Sequence, residues 1–127
     1  MTLNNLILIL LFTLLTAGCS APEKVNEKWF QQRWCEQQDG QVEVRLIDNT
    51  RCDCLTNEHA IEVDFSHKWA EAIGQSLHYS KMTGMKAGIL LIVENTNDKK
   101  HLARLNSVIQ FHNLPITVWT TNKSELD

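Results

Sequence analysis

The chain has no excess of positive charge, no internal repeat, no low-complexity tract and no Cys-x-x-Cys pair. Its 12 lysines and arginines against 15 acids give a net charge of −3, which argues against a broad cationic surface for nucleic acid. The missing Cys-x-x-Cys pair argues against a thiol redox module. The 127 residues are 43% hydrophobic, which is enough for one compact domain of modest size.

One long apolar run is present, and it lies at the start of the chain. Residues 6–15 are almost all apolar and small residues follow them. This run is shorter than a membrane-spanning helix needs, so it predicts an export signal over residues 1–18. The segment LTAGC at 15–19 resembles the lipobox of bacterial lipoproteins. Thr16 stands where leucine is usual, and the leading MTLNN has no lysine or arginine.

The lipobox resemblance implies that cleavage makes Cys19 the first residue of the mature protein and that Cys19 carries lipid. Residues 19–26 would then form a lipidated tether. We therefore expect a protein anchored to the bacterial cell envelope, facing the periplasm, with the outer membrane favoured. The membrane is the partner that this segment indicates, and the sequence indicates no protein partner. An uncleaved membrane anchor is the alternative.

The rest of the chain alternates between helical and strand patterns. The periodicity predicts a helix over 24–38, strands over 41–47, 51–55 and 60–65, a helix from 67 to an exit at 83–84, a strand over 87–93, a helix from 98 to 112 and a strand over 116–120. The apolar run at 87–93 is typical of an interior strand. The order αβββαβαβ predicts an α/β domain over 27–120, with a mixed central sheet flanked by helices. Residues 121–127 are expected to be a frayed tail.

Acidic residues recur on two of the predicted strands. In the strand over 60–65, alternation directs the apolar residues to one face and Glu62 and Asp64 to the other. In the strand over 51–55, the same rule directs Asp53 away from the two cysteines beside it. If Asp53 faces the side of Glu62, three carboxylates meet. Exposed acids on a sheet surface are the alternative.

A polar row follows on the central helix, at the edge of its apolar stripe. The row is formed by Lys68, Glu71, Gln75 and Tyr79, which are three, four and four residues apart. A polar row beside a buried face suits a site where a helix meets a sheet. On the first helix, Glu36 lies seven residues after Trp29 and could face the sheet. A solvated glutamate near a helix end is the commoner case, because acids are rarely buried.

The cysteines suit an exported chain, in which disulfides persist. With Cys19 set aside, three remain, and the pattern predicts that Cys35 bonds to either Cys52 or Cys54. Alternation directs Cys52 and Cys54 to the same face of their strand. A zinc site built from the three cysteines and His59 is an alternative, although Cys-x-Cys lacks the usual gap between zinc ligands.

These features together resemble the PD-(D/E)XK superfamily of nucleases, which has the restriction-endonuclease-like fold. The similarity covers residues 27–120 in the order of elements. Its specific part is limited to RCDCL, AIEVDF and KWAEAIGQSLHY. The resemblance implies that Asp53 and Glu62 hold Mg²⁺ or Mn²⁺, because hard cations prefer carboxylate oxygens. Such an ion activates water and stabilises charge during hydrolysis of a phosphodiester.

The same resemblance assigns the remaining roles. In the family, a lysine two positions after the second acid assists the attacking water, and a Gln-x-x-x-Tyr helix supports the site or contacts DNA. Asp64 stands at that lysine position here, so we expect Lys68 to take over from the helix. The predicted catalytic residues are Asp53, Glu62, Lys68 and Gln75, with Glu36, Asp64 and Tyr79 as auxiliary residues.

Three classes of function follow from the sequence. The first is an envelope-anchored, metal-dependent nuclease that hydrolyses DNA. The second is a nuclease-like lipoprotein without catalysis, with a binding or structural role at the envelope. The third is a zinc or thiol redox module. The missing family lysine, the negative net charge and the export signal all weigh against a DNA enzyme.

Overall fold

A computed structural model describes Gly18 and residues 24–127. The elements are α1 (Glu27–Gln37), β1 (Gln41–Arg45), β2 (Arg51–Leu55), β3 (His59–Phe65), α2 (Trp69–Thr83), β4 (Lys86–Ile92), α3 (Lys99–His112), β5 (Ile116–Thr121) and α4 (Lys123–Leu126), with 3₁₀ turns at Ser66–Lys68 and Thr96–Asp98. Cys19 and the rest of the predicted signal and tether up to residue 23 lie outside the described residues. Within the described part of the chain, no helix is long and apolar enough to cross a membrane.

The predicted order of elements is confirmed through β5. α1 begins three residues later than predicted, because the Asn26 side chain accepts a hydrogen bond from the Trp29 N–H at 3.0 Å and caps the helix there. α2 ends at Gly84 and α3 ends at Asn113, both in the left-handed conformation that terminates helices.

The five strands form one mixed sheet in the order β1-β2-β3-β4-β5. β2 is antiparallel to both of its neighbours, whereas β3, β4 and β5 are parallel. β4 lies between β3 and β5 and is buried at every position after Lys86, so the prediction of an interior strand is confirmed. The α/β class with a mixed, helix-flanked sheet is therefore correct.

Helices cover the two faces of the sheet in different combinations. α1 packs against β1, β2 and β3 and touches α4, whereas α2 packs against β3 and β4 and touches α3. The core on the α1 face contains Phe30, Trp34, Cys35, Cys54, Ile61, Val63, Leu90, Ile92 and Leu126. The α2 face has two smaller clusters, with Leu46, Cys52, Ala60 and Tyr79 in one and Ala72, Ile89, Leu91 and Leu105 in the other.

The prediction of a frayed tail is wrong. The Asn122 side chain accepts a hydrogen bond from the Glu125 N–H and caps α4. Leu126 is 7% exposed and packs in the core of the α1 face. The buried leucine and the cap together hold the last turn, so α4 is part of the folded core.

Cys35 and Cys54 form a disulfide that ties α1 to β2, which resolves the two pairings that the sequence left open. Cys52 is a buried free thiol. Because two of the three cysteines are bonded to each other, the alternative zinc site cannot form. Gly40 packs on the disulfide, where a Cβ atom would lie 2.7 Å from Cys35 Sγ and 2.8 Å from Cys54 Sγ.

The predicted placement of Cys52 and Cys54 on one face of β2 is wrong. Cys54 packs in the core of the α1 face, and Cys52 packs with Tyr79 on the α2 face. The regular pairing of β2 with β3 is limited to Cys54 and Leu55. On β1, Glu43 has a φ of 49°, a conformation that disrupts regular strand geometry. The regular alternation of side chains between the two faces of β2 therefore fails between Cys52 and Cys54, where β2 is not regularly paired with β3.

Candidate active site

The separation of β2 from β3 is centred on Asp53. The Asp53 carboxylate accepts a hydrogen bond from the Val63 N–H at 2.8 Å, a bond that a main-chain carbonyl of β2 would make in a regular ladder. The Asp53 carbonyl accepts a hydrogen bond from Gln31 Nε2 of α1 at 2.9 Å. The half-buried Asp53 is thus fixed by β3 and α1 together.

Glu62 is the second acid of the pair and lies on the α2 face of β3. It is only 4% exposed, and burial followed by the charge of Asp53 raises the pKa of Glu62 to about 9. Burial also raises the pKa of Asp53 to about 6, while hydrogen bonds from Val63 and Glu62 oppose the rise. A protonated Glu62 therefore donates a hydrogen bond to the Asp53 carboxylate near neutral pH. Glu62 Oε2 is buried and has no hydrogen-bond partner among the described residues.

Asp64 and Lys68 form a second group beside this pair. Asp64 is 3% exposed, and burial followed by the charge of Glu27 raises its pKa to about 7. Lys68 Nζ lies 3.5 Å from Asp64 Oδ1 and 3.9 Å from Glu27 Oε2. Asp64 first and Glu27 second raise the pKa of Lys68, so its ammonium group stays charged. The charge of Asp64 also contributes to the raised pKa of Glu62, so the two groups interact.

Tyr79 completes the site from α2. Its side chain is 6% exposed, and its hydrogen bond with Glu62 lowers the pKa of that acid against the larger effect of burial. Burial also raises the pKa of the Tyr79 hydroxyl itself, so this hydroxyl stays protonated near neutral pH. Burial likewise raises the pKa of the neighbouring Cys52 to about 11, so this thiol is not an activated nucleophile.

The structure brings together Asp53, Glu62, Asp64, Lys68 and Tyr79. It does not bring in Gln75, which is exposed on α2 one turn before Tyr79. Glu36 is also exposed and accepts a hydrogen bond from Gln32 Nε2 at 3.2 Å. Glu36 is therefore solvated and does not face the sheet, because Phe30, Trp34 and Cys35 occupy the sheet-facing side of α1.

Glu27 is the residue that the sequence did not single out. It lies in the first turn of α1, where acids are common because they suit the helix N-terminus. Its contact with Lys68 and its effect on Asp64 depend on where α1 crosses β3. No local pattern in the sequence indicates that crossing.

The arrangement can hold a proton or a cation among carboxylates. No group of three or more His, Cys, Asp or Glu side chains in the described part of the chain is arranged to hold a metal ion. Asp53 and Glu62 alone supply two carboxylates, and Mg²⁺ is commonly bound by one or two carboxylates with water and phosphate in its other positions.

Comparison of the chain with protein-family models, with curated proteins and with solved structures gives no match. Function is therefore inferred from the chemistry of the site.

Proposed function

We propose that the domain has a restriction-endonuclease-like core and is a divalent-metal-dependent nuclease of the PD-(D/E)XK type. The observation that supports this most directly is the pair of Asp53 and Glu62 on adjacent strands, with Glu62 Oε2 buried and unpartnered. A buried acid without a full set of partners destabilises a fold, so packing does not explain why it is there. A catalytic role would explain why a buried acid is present at this position.

The residues present fit Mg²⁺ or Mn²⁺. Asp53 and Glu62 would hold the ion, and the unpartnered Oε2 of Glu62 is the oxygen that most needs a cation. When bound, the ion would supply an activated water and would stabilise charge on the phosphodiester. Its positive charge would offset the burial and the nearby charge of Asp53, which together raise the pKa of Glu62.

The other side chains have supporting roles. Lys68 stays charged and is positioned by Asp64, the residue that stands where the family lysine is expected. We assign Lys68 the stabilisation of negative charge on the phosphate, since a protonated ammonium cannot accept a proton. Tyr79 orients Glu62, and Gln75, exposed on the same helix, would contact DNA rather than the ion.

A second candidate is the same fold without catalysis, acting as a binding or structural lipoprotein. The contact between Lys68 and Asp64 favours it, because the lysine is already paired with two acids. The net charge of −3 also weighs against strong binding of DNA. Both candidates place the domain at the bacterial envelope through lipid on Cys19. Mass spectrometry of the membrane fraction tests that anchor, and an intact Met1 terminus would contradict it.

Cleavage of linear double-stranded and single-stranded DNA with Mn²⁺ tests the proposed activity. We compare the full-length protein with Asp53→Asn, Glu62→Gln and Lys68→Met, each of which approximately keeps the size of its side chain. We expect each variant to fold and to lose cleavage by about 100-fold or more, because each removes charge that acts in the transition state. Glu94→Gln, at an exposed position outside the site, is the control with the same loss of charge.

The two candidates give different results. If the wild type cuts and only the three site variants fail, the enzyme is supported. If the wild type binds Mn²⁺ but does not cut either substrate, the non-catalytic lipoprotein is the better conclusion. Cleavage by Asp53→Asn at the rate of the wild type would mean that the site is wrongly assigned.

A further inference from the structure

A cavity lies near the N-terminal end of β3, on the face of the sheet opposite to Glu62. Its volume is about 340 Å³, and it is bounded by the end of α1, the turn before β3 and the strand β5. Ile61, which lines it, belongs to the core of the α1 face. Glu62 and Asp64 are directed to the α2 face, so the cavity is separate from the candidate active site.

Three aromatic rings line this cavity. The ring centroids of Trp34 and Trp119 are 5.4 Å apart, with the planes tilted by 56°. The imidazole of His59 meets Trp119 edge to face at 5.0 Å. His59 Nε2 also lies 3.2 Å from Thr117 Oγ1, which fixes its ring. The result is an aromatic wall in which Trp119 is central.

The position of Trp119 depends on a glycine in the neighbouring strand. A Cβ atom at Gly88 would lie 2.7 Å from Trp119 Cζ3 and 2.9 Å from Ile61 Cγ1. The absence of a side chain at Gly88 therefore lets the indole lie against the sheet. Packing against β4 therefore fixes the orientation of the Trp119 indole, whereas an isolated aromatic residue in a loop would be free to move.

Two carboxylates complete the lining. Asp39 and Glu58 are both exposed at the cavity, and neither forms an ion pair among the described residues. Neither lysine nor arginine is among the residues that line this cavity. The remaining polar groups are neutral amides and a hydroxyl. The cavity thus combines aromatic rings with negative charge that has no counter-charge in its own lining.

We propose that this cavity binds a small organic cation that carries a quaternary ammonium group. Aromatic faces attract such a group through their quadrupoles, and nearby carboxylates add a direct attraction. A neutral sugar could also stack on Trp119, but it would leave both carboxylates without a counter-charge. The proposal does not depend on nuclease activity.

Choline is the test ligand, and its uncharged isostere dimethylbutanol is the matched control. The full-length protein, labelled with 5-fluorotryptophan and kept in a non-ionic detergent, is titrated at pH 8 and followed by ¹⁹F NMR. We expect saturable shifts of the Trp34 and Trp119 signals with a Kd on the order of 1 mM. The signal of Trp69, which lies on the α2 face, should stay unchanged. Dimethylbutanol should bind at least about fivefold more weakly.

A pair of double variants tests the role of charge. Asp39→Asn with Glu58→Gln should weaken choline binding by about threefold or more, because two exposed carboxylates each contribute modestly. Glu71→Gln with Glu94→Gln removes the same charge from exposed positions elsewhere and should leave the Kd unchanged. The proposal would be overturned if dimethylbutanol bound as tightly as choline or if the two double variants weakened binding equally. It would also be overturned if glucose bound more tightly than choline or if the Trp34 and Trp119 signals did not respond.

Discussion

The side chains of β3 alternate between apolar residues on one face of the sheet and acidic residues on the other. Towards α1 the strand presents Ile61 and Val63, which are 1% and 0% exposed in an apolar core. Towards α2 it presents Glu62 and Asp64, which are just as deeply buried at 4% and 3%. Both faces are covered by a helix, yet only one of them has the composition that a covered face normally requires.

The residues on the α1 face of β3 stabilise the fold, whereas the buried acids on the α2 face do not. The α1 face carries the disulfide, the large aromatic residues of α1 and the last leucine of the chain. The α2 face buries carboxylates whose pKa values rise because they are removed from water and lie close together. Burial of that kind opposes folding. Packing alone therefore does not account for these acids.

The largest effect should come from the disulfide on the α1 face. Replacing both Cys35 and Cys54 by alanine opens a link between residues 19 positions apart. In the chain-entropy account this lowers the free energy of unfolding by about 3 kcal/mol. Urea unfolding at pH 6 measures the change. Reducing agent should lower the stability of the wild type by a similar amount and should leave the double variant unaffected. An unchanged wild type under full reduction would contradict the prediction.

The next effect is a fall in stability as the pH rises, and it belongs to the α2 face. Glu62 has a pKa of about 9 in the folded protein against an ordinary value of 4.5, so between those values the folded state holds a proton that the unfolded chain has released. The free energy of unfolding then falls as pH increases. We expect a loss of about 3 kcal/mol between pH 6 and pH 8 without divalent ions, since the slope is about 1.4 kcal/mol per pH unit for one group. Urea unfolding at the two pH values measures it. Equal stability at both would show that Glu62 is ionised in the fold.

Isosteric substitutions at adjacent positions of β3 should act in opposite directions. Val63→Thr puts an unpartnered hydroxyl into the apolar core and should lower the free energy of unfolding by about 1 kcal/mol or more. Glu62→Gln removes the cost of protonating this carboxyl on folding and should raise the free energy of unfolding by at least about 1 kcal/mol at pH 8. The comparison is made at pH 8 by urea unfolding. Destabilisation by both variants would mean that Glu62 contributes to the fold.

The smallest effect should come from Tyr79→Phe, which removes one hydroxyl from the acidic site. Because that hydroxyl lowers the pKa of Glu62, its loss should raise this pKa further and weaken Mn²⁺ binding at pH 7 severalfold. The free energy of unfolding should fall by less than about 1 kcal/mol. Calorimetry with Mn²⁺ measures the first change and urea unfolding the second. A large loss of stability with unchanged metal binding would indicate a packing role alone.

Much of the fold could be predicted because it is encoded in local periodicity. The order of helices and strands through β5 follows from apolar spacing, and the apolar run of β4 correctly indicated an interior strand. The sequence of α4 does contain features typical of a short helix, since Asn122 is a common N-cap residue and Leu126 is apolar. Periodicity alone does not predict α4, because a helix of four residues is too short to show a repeating apolar pattern.

The site was less predictable because it depends on departures from regular structure. Alternation places Cys52 and Cys54 together, but β2 leaves β3 where the Asp53 carboxylate takes over a ladder bond. The spacing from Trp29 allows Glu36 to face the sheet, but α1 directs Phe30, Trp34 and Cys35 there. Glu27 reaches Lys68 only through the crossing of α1 over β3. Such long-range placements leave no trace in local sequence patterns.

Binding of Mn²⁺ to the full-length protein is the measurement that tests the central claim most directly. Isothermal titration calorimetry at pH 7 should show one saturable site in the wild type and in Glu94→Gln. The site should be absent or at least about tenfold weaker in Asp53→Asn and Glu62→Gln, because two carboxylates supply the protein ligands. If the wild type binds no Mn²⁺, or if Glu62→Gln binds it as tightly as the wild type, Asp53 and Glu62 do not form a metal site and the account is contradicted.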